Sequence, residues 1–301
     1  MSTLMQYLVD WIDIDEDEIH YRCWLTNQAK AWVVITHGLS EHSERYERIA
    51  RFLNEQHINV ICWDHLGHGE HSEQLSQLNT SFEKMTDRVT PILALCEKLD
   101  PNLKTFLLGH SMGSFMSLNY CTRNNPNIAG LILSGSGIDA LGRIKTASVI
   151  NRLLCQLFGK NNQSKFFDWL TFTSFNEQFE PNRSAFDWLS SIPEEVDLYL
   201  QDPYCGFIPS NGMWKEILSC LRNLEGDIKS HTFNFPILLQ QGEYCSVANL
   251  KGGNKRLTTA LSAKSNAIKS ITYPDARHEI YNDHCAIQAM SDLCEWIGRQ
   301  L

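Results

Sequence analysis

Gly109-His110-Ser111-Met112-Gly113 sets a serine among small residues, after the apolar run KTFLL and before the amphipathic stretch 112–123. A strand that turns sharply into a helix at such a serine lifts its hydroxyl clear of the sheet. The flanking glycines remove the side chains that would clash in that turn. The first backbone N–H groups of the following helix then face any negative charge that develops beside the serine. These are the requirements of acyl transfer with Ser111 as nucleophile.

Two further stretches fit the same chemistry. His37-Gly38-Leu39 directly follows the apolar run AWVVIT, so a backbone N–H of this loop can join that of Met112 in an oxyanion hole. His37 itself is expected to brace the loop by hydrogen bonding. His278, in Tyr273-Pro274-Asp275-Ala276-Arg277-His278-Glu279, lies in the loop after the last apolar run, where a base can lean back over the serine. Eleven histidines compete for that role, and position alone does not single one out. His65, His68 and His71, in DHLGHGEHS, invite a metal reading, because a catalytic zinc site commonly takes three protein ligands. Their spacing converges only on a continuous helix, and Gly67 and Gly69 make this a loop. They are expected to build loop structure, with no metal and no cofactor.

The elements that must position these residues alternate along the chain. Residues 4–12 and 18–25 read as an opening hairpin. Apolar runs at 31–36, 58–63, 104–108 and 128–133 read as buried strands, interleaved with helical stretches at 44–56, 82–99 (with Pro91 a kink) and 112–123. The alternation stops between about 137 and 230 and resumes with strands at 235–240 and 268–273, a helix near 249–262 and a final helix. Alternating buried strands and amphipathic helices predict a parallel sheet covered on both faces. The expected organisation is therefore a core of residues 1–136 and 231–301 and a helical cap inserted at 137–230.

Composition is that of a globular chain: 301 residues, 43% hydrophobic and 20% charged. The net charge of −9 argues against nucleic-acid binding, which needs a basic excess. No apolar run reaches the roughly 20 residues of a membrane span, and the N-terminal stretch lacks the pattern of a signal peptide. The ten cysteines are scattered without a C-x-x-C pair and read as free thiols in a reducing cytoplasm.

Taken together, HGLSEHSERY, DHLGHG, GHSMG and ARHEIYND resemble, in order, the motifs of the monoacylglycerol lipase/lysophospholipase (PldB-like, serine aminopeptidase-like) group of α/β-hydrolases. The cap stretch FEPNRSAFDWLSSIPEEVDLYLQDPYCGF is similar to a bacterial branch of that group. The resemblance implies a mostly parallel eight-stranded sheet flanked by helices, with the cap after the sixth strand. It implies Ser111 as nucleophile, His278 as base, and the N–H groups of Leu39 and Met112 as the oxyanion hole. The family's triad acid is an Asp three residues after the Gly that follows the strand equivalent to FPILLQ. This sequence reads Gly242-Glu243-Tyr244-Cys245, so Cys245 stands in the acid's place.

A neutral thiol does not orient and charge-balance a histidine as a carboxylate does. Three readings stay open: another carboxylate substitutes (Glu243 first, otherwise Asp139 or Asp275); Cys245 is an introduced change or makes a slow enzyme; or the protein is a non-catalytic homologue. The cap aromatics (Phe166, Phe167, Trp169, Phe172, Phe175, Phe186, Trp188, Trp214) suit an acyl-chain tunnel as well as core packing. The expected partner is a small lipid or ester, with transient membrane-surface contact compatible with the sequence. The rival enzyme is an aminopeptidase whose substrate amine is bound by Glu194, Glu195, Asp197 or Asp202.

Overall fold

The structure is a computed structural model that describes residues 6–14, 17–70, 72–249, 252–265 and 267–301. Residues 4 and 5 of the expected hairpin, His71, and positions 250 and 251 of the expected helix lie outside them.

Eight strands form one sheet: β1 (Gln6–Ile14), β2 (Asp17–Leu25), β3 (Ala31–Thr36), β4 (Ile58–Trp63), β5 (Lys104–His110), β6 (Gly130–Ser134), β7 (Ile237–Gly242) and β8 (Ile268–Tyr273). Their spatial order is β1-β2-β4-β3-β5-β6-β7-β8. The β1–β2 and β2–β4 pairs are antiparallel, and the other five are parallel. β7 starts two residues later than the apolar run suggests, because Pro236 has no N–H to give to the ladder.

The alternation of strand side chains divides the core into two layers. On β3, Trp32 and Val34 face one layer, while Ala31, Val33 and Ile35 face the other. Helix α1 (Glu47–Glu55) covers the second layer. Helices α2 (Phe82–Asp87), α3 (Val89–Leu99) and α4 (Met112–Asn124) cover the first. The stretch 82–99 is thus two helices, and the break falls at Arg88 instead of at Pro91. A proline ring clashes with the carbonyl four residues back. Here that residue is Asp87, so α2 ends there. Pro91 then sits in the first turn of α3, where an absent N–H costs nothing.

Between β6 and β7 the chain carries α5 (Leu141–Phe158), α6 (Lys165–Asp168), a π turn at Trp169–Thr173, α7 (Ser174–Asn176), α8 (Pro193–Gln201) and α9 (Asn211–Ser230). Among the described residues this segment adds no strand to the sheet. After β7 come α10 (Ser246–Asn249) and α11 (Gly253–Ser262), and after β8 the closing α12 (Ala286–Gly298), which packs on the same layer as α1. No helix among the described residues is long and apolar enough to cross a membrane.

Candidate active site

Five parallel strands end at one edge, and each carries a residue of the site out of its carboxyl end. β3 leads into His37-Gly38-Leu39, β5 into Ser111, β6 into Gly135, β7 into Gly242 and Cys245, and β8 into the loop bearing His278. Ser111 has φ 52° and ψ −119°, a left-handed conformation that costs a non-glycine residue about 1–3 kcal/mol. Surrounding contacts hold it there: its N–H donates to the Ser134 carbonyl at 2.9 Å, and α4 begins at the next residue. A Cβ on Gly113 would run into the Thr36 carbonyl oxygen, so this turn of α4 lies directly against β3. Gly113→Ala is accordingly expected to cost at least about 2 kcal/mol, measured as a melting temperature lower by several degrees.

Ser111 and His278 line one cavity of about 460 Å³, together with Leu39 and Met112. Met112 is the first helical residue of α4, so its N–H has no acceptor within the helix. The loop of Leu39 is braced from below. The His65 N–H donates to His37 Nε2 at 3.0 Å, which leaves the proton on His37 Nδ1 to donate to the Gly38 carbonyl at 2.8 Å. His65 stacks on His37 with ring centroids 3.7 Å apart. Burial, aided by the neighbouring imidazoles, holds the His37 pKa well below 6.5, so it is a neutral brace.

His65 and His68 build loop structure: His65 Nε2 bonds the His37 carbonyl and His68 Nδ1 the Leu66 carbonyl. Among the described residues, the His/Cys/Asp/Glu group close enough to share an ion is elsewhere, at His42, Asp202 and Cys205. There His42 Nε2 is already hydrogen-bonded to Asp202 at 2.7 Å.

His278 reaches the cavity by passing over β6 and β7, and two glycines clear its path. A Cβ on Gly135 (φ +59°) would lie 2.8 Å from His278 Cε1. One on Gly242 would strike the carbonyl oxygens of Ala276 and Arg277. The loop is also tied to the β6–β7 segment, since the N–H groups of His278 and Glu279 donate to the Trp188 and Leu189 carbonyls. The His278 ring is buried between His110 and Trp188, with centroids 4.6 and 4.9 Å away. Burial, with His110 beside it, pushes the His278 pKa well below 6.5, against the pull of Glu279. The imidazole is therefore neutral, the form that accepts a proton.

Cys245 lies in the turn between β7 and α10, beside the His278 ring. Its Sγ lies 3.1 Å from His278 Nδ1 and accepts from the Ala248 N–H at 3.3 Å. Burial pushes this thiol up to about 12, against hydrogen bonds from Ala248 and Val247. It is uncharged at physiological pH.

None of the three substitute carboxylates is brought to His278. Glu243 is exposed and accepts from the Asp275 N–H at 3.1 Å. The Gly242–Cys245 turn sends positions 243 and 245 to opposite sides, so a longer side chain does not help. Asp275 is exposed, and Asp139, at the cavity wall, pairs with Arg143 at 3.1 Å.

Two buried carboxylates of the cavity wall, Glu41 and Glu279, were not singled out from the sequence. Glu41 Oε1 accepts from the Gly38 N–H at 2.5 Å and from Tyr46 Oη at 2.9 Å. Arg45 bonds Glu41 at 2.8 Å and grips both oxygens of Glu279 at 2.7 Å. Both glutamates line the cavity wall. Within HGLSEHSERY and RHE their signal was present only as motif letters, with no spacing to pair them.

Six of the eight aromatics named from the sequence line the cavity: Phe166, Phe167, Phe172, Phe175, Trp188 and Trp214. Trp169 is exposed, and Phe186 packs on Phe172 and Tyr199. Glu194, Glu195, Asp197 and Asp202 do not line it. Glu195 pairs with Arg48, Asp197 with Arg183 at 2.6 Å, and Asp202 with His42, while Glu194 is exposed.

The sequence pattern of the serine aminopeptidase, S33 family matches residues 27–284. This chain belongs to that family. Its relatives include the human monoglyceride lipase, 28% identical over 82% of this chain and 76% of that one. The rat monoglyceride lipase is also 28% identical, over 98% and 92% of the two chains. Among solved structures, a thermostable carboxyl esterase from Bacillus coagulans superposes with a TM-score of 0.88 at 21% identity, covering 98% of each chain. The family's fold is thus the α/β-hydrolase fold, as the sheet order already indicates.

Proposed function

We propose that this chain is a serine hydrolase cleaving carboxylic esters of amphiphilic lipids, of the monoacylglycerol or lysophospholipid kind, through an acyl-serine intermediate. The observation that carries this reading is the strained Ser111 in one apolar-walled cavity with a neutral, buried His278. Names of relatives support the substrate class.

In the first step Ser111 Oγ attacks the ester carbonyl while His278 Nε2 takes its proton. The carbonyl electron pair moves to oxygen, which the N–H groups of Leu39 and Met112 hold. Collapse expels the alcohol, which leaves with the proton from His278. Water, deprotonated by His278, then repeats the attack on the acyl-serine and releases the fatty acid. Residues 137–230 act as the cap, placing Phe167, Phe172 and Trp214 around the acyl chain. The outer face of α5, with Val149, Leu157 and Phe158 exposed, suits transient contact with a lipid surface. The setting in this reading is cytoplasmic, in keeping with ten free thiols.

A fluorophosphonate probe is expected to label the protein at Ser111, and Ser111→Ala to abolish labelling and lower ester turnover by at least about 10³-fold. Absence of labelling in the wild type would overturn the enzyme reading in favour of a binding protein. The family description favours one rival, an aminopeptidase. Turnover of a proline p-nitroanilide without turnover of a p-nitrophenyl acyl ester would establish it instead.

A further inference from the structure

The position of Cys245 poses a charge problem. When His278 takes the serine proton it becomes an imidazolium in a buried site, and the thiol at its Nδ1 carries no compensating charge. A buried cation without a partner is costly. Among the described residues, the charged or titrating groups that act on His278 are His110 at the end of β5, Glu279 and Arg45, with the Cys245 thiol at its Nδ1 and Glu41 joined through Arg45 to Glu279 in one network. Trp188 closes the remaining side with an apolar face.

That network contains two carboxylates and one guanidinium, all buried or nearly so. It holds one more negative charge than positive. Its members also sit where they act on the base. Glu279 is the next residue after His278, and a small cavity brings Glu41, Arg45 and Glu279 against His110, whose ring touches His278. The attraction of Glu279 for a proton on His278 outweighs the repulsion from Arg45. Arg45 fixes the Glu279 carboxylate with two hydrogen bonds, so it has no need to reorganise when the charge appears.

We infer that Glu279, held by Arg45 and Asn282, is a positioning residue that supplies the counter-charge to the His278 imidazolium in place of the absent triad acid. This rests on the assignment of Ser111 and His278 above. It differs from a triad acid in one respect: Glu279 balances charge without orienting Nδ1.

The test combines full-length wild type, Glu279→Gln, Cys245→Asp and the double variant. Titration of His278 is followed by NMR on ¹³C-histidine-labelled protein, and p-nitrophenyl ester turnover is followed against pH. Glu279→Gln is expected to lower the His278 pKa by about one unit, and with it the acidic limb of kcat/KM, and to cut the plateau about tenfold. In the Cys245→Asp background, where a carboxylate already faces Nδ1, the same change is expected to cost less than about threefold. Glu279→Asp, which keeps the charge, should restore most of the loss. Equal losses in both backgrounds, or an unmoved His278 titration, would overturn the inference in favour of a structural role. Should Glu279→Gln not fold, Glu41→Gln removes the same excess charge and must shift the His278 titration in the same direction. The NMR readout needs no turnover, so an inactive wild type with the titration shift intact overturns the hydrolase reading alone.

Discussion

Cys245→Asp is expected to raise ester turnover by about 10²–10⁴-fold, the scale on which triad acids act. The argument is one of tautomers as much as of charge. A carboxylate accepts from Nδ1–H, which leaves the lone pair on Nε2 facing the serine. A neutral thiol whose sulfur already accepts from the Ala248 N–H has its S–H left to donate, and Nδ1 lies 3.1 Å away. That bond favours the proton on Nε2, the wrong tautomer for a base. An Asp at 245 would inherit the N–H donors at the start of α10 and turn the imidazole round. Cys245→Asn, similar in shape but uncharged, should give little of the gain. Glu243→Gln should leave turnover unchanged within about twofold, the scatter for a surface side chain remote from the chemistry. A rise below about threefold in a folded Cys245→Asp protein, with a loss in Glu243→Gln, would show that the acid operates from elsewhere.

The strands at 31–36 and 58–63 were legible because burial on both faces leaves continuous apolar runs, and they coincide with β3 and β4, whereas the run at 268–273 coincides with β8 although that strand closes the edge of the sheet and is only partly buried. The elbow was legible because a strained strand-to-helix turn restricts which residues can flank Ser111. Pro91 was legible as a disruption but not in its location, since proline acts on the carbonyl four residues behind it. What the sequence could not display is convergence. Gly135, His110 and Glu279 come from three different strand ends, and no periodicity links them. Glu243 was attractive only because two residues is a short distance along a chain. In a tight turn the same two residues reverse a side chain's direction, and Glu243 ends at the surface. The charge pair Glu41–Arg45 has i,i+4 spacing but sits across a 3₁₀ turn, and its partner Glu279 lies 234 residues away.

The second large effect concerns Arg45 and stability. Arg45→Leu removes the single guanidinium between Glu41 and Glu279, which are 4% and 6% exposed. Two like charges would then be buried together without compensation, at a cost of about 3–5 kcal/mol. That is read as a melting temperature lower by roughly 10 °C at pH 8. The sign of the pH dependence follows from the proton equilibria. In the wild type, burial pushes the Glu279 carboxyl up, but Arg45 holds it well below the usual range. Its contribution is therefore fully present at neutral pH and lost only as the pH falls through that depressed value. Without Arg45, burial is left to raise the Glu279 carboxyl above its unfolded value. The penalty is then present at high pH and fades as the pH falls and that carboxyl is protonated. The gap in melting temperature between variant and wild type should narrow from pH 8 to pH 5, whereas a gap independent of pH would attribute the loss to packing against Tyr199. Arg45→Lys keeps the charge but not the two-point grip on Glu279, so it should lose less stability and little of its pH dependence. Because Glu41 also accepts from the Gly38 N–H, the same substitution is expected to loosen the Gly38 loop and the His278 loop together.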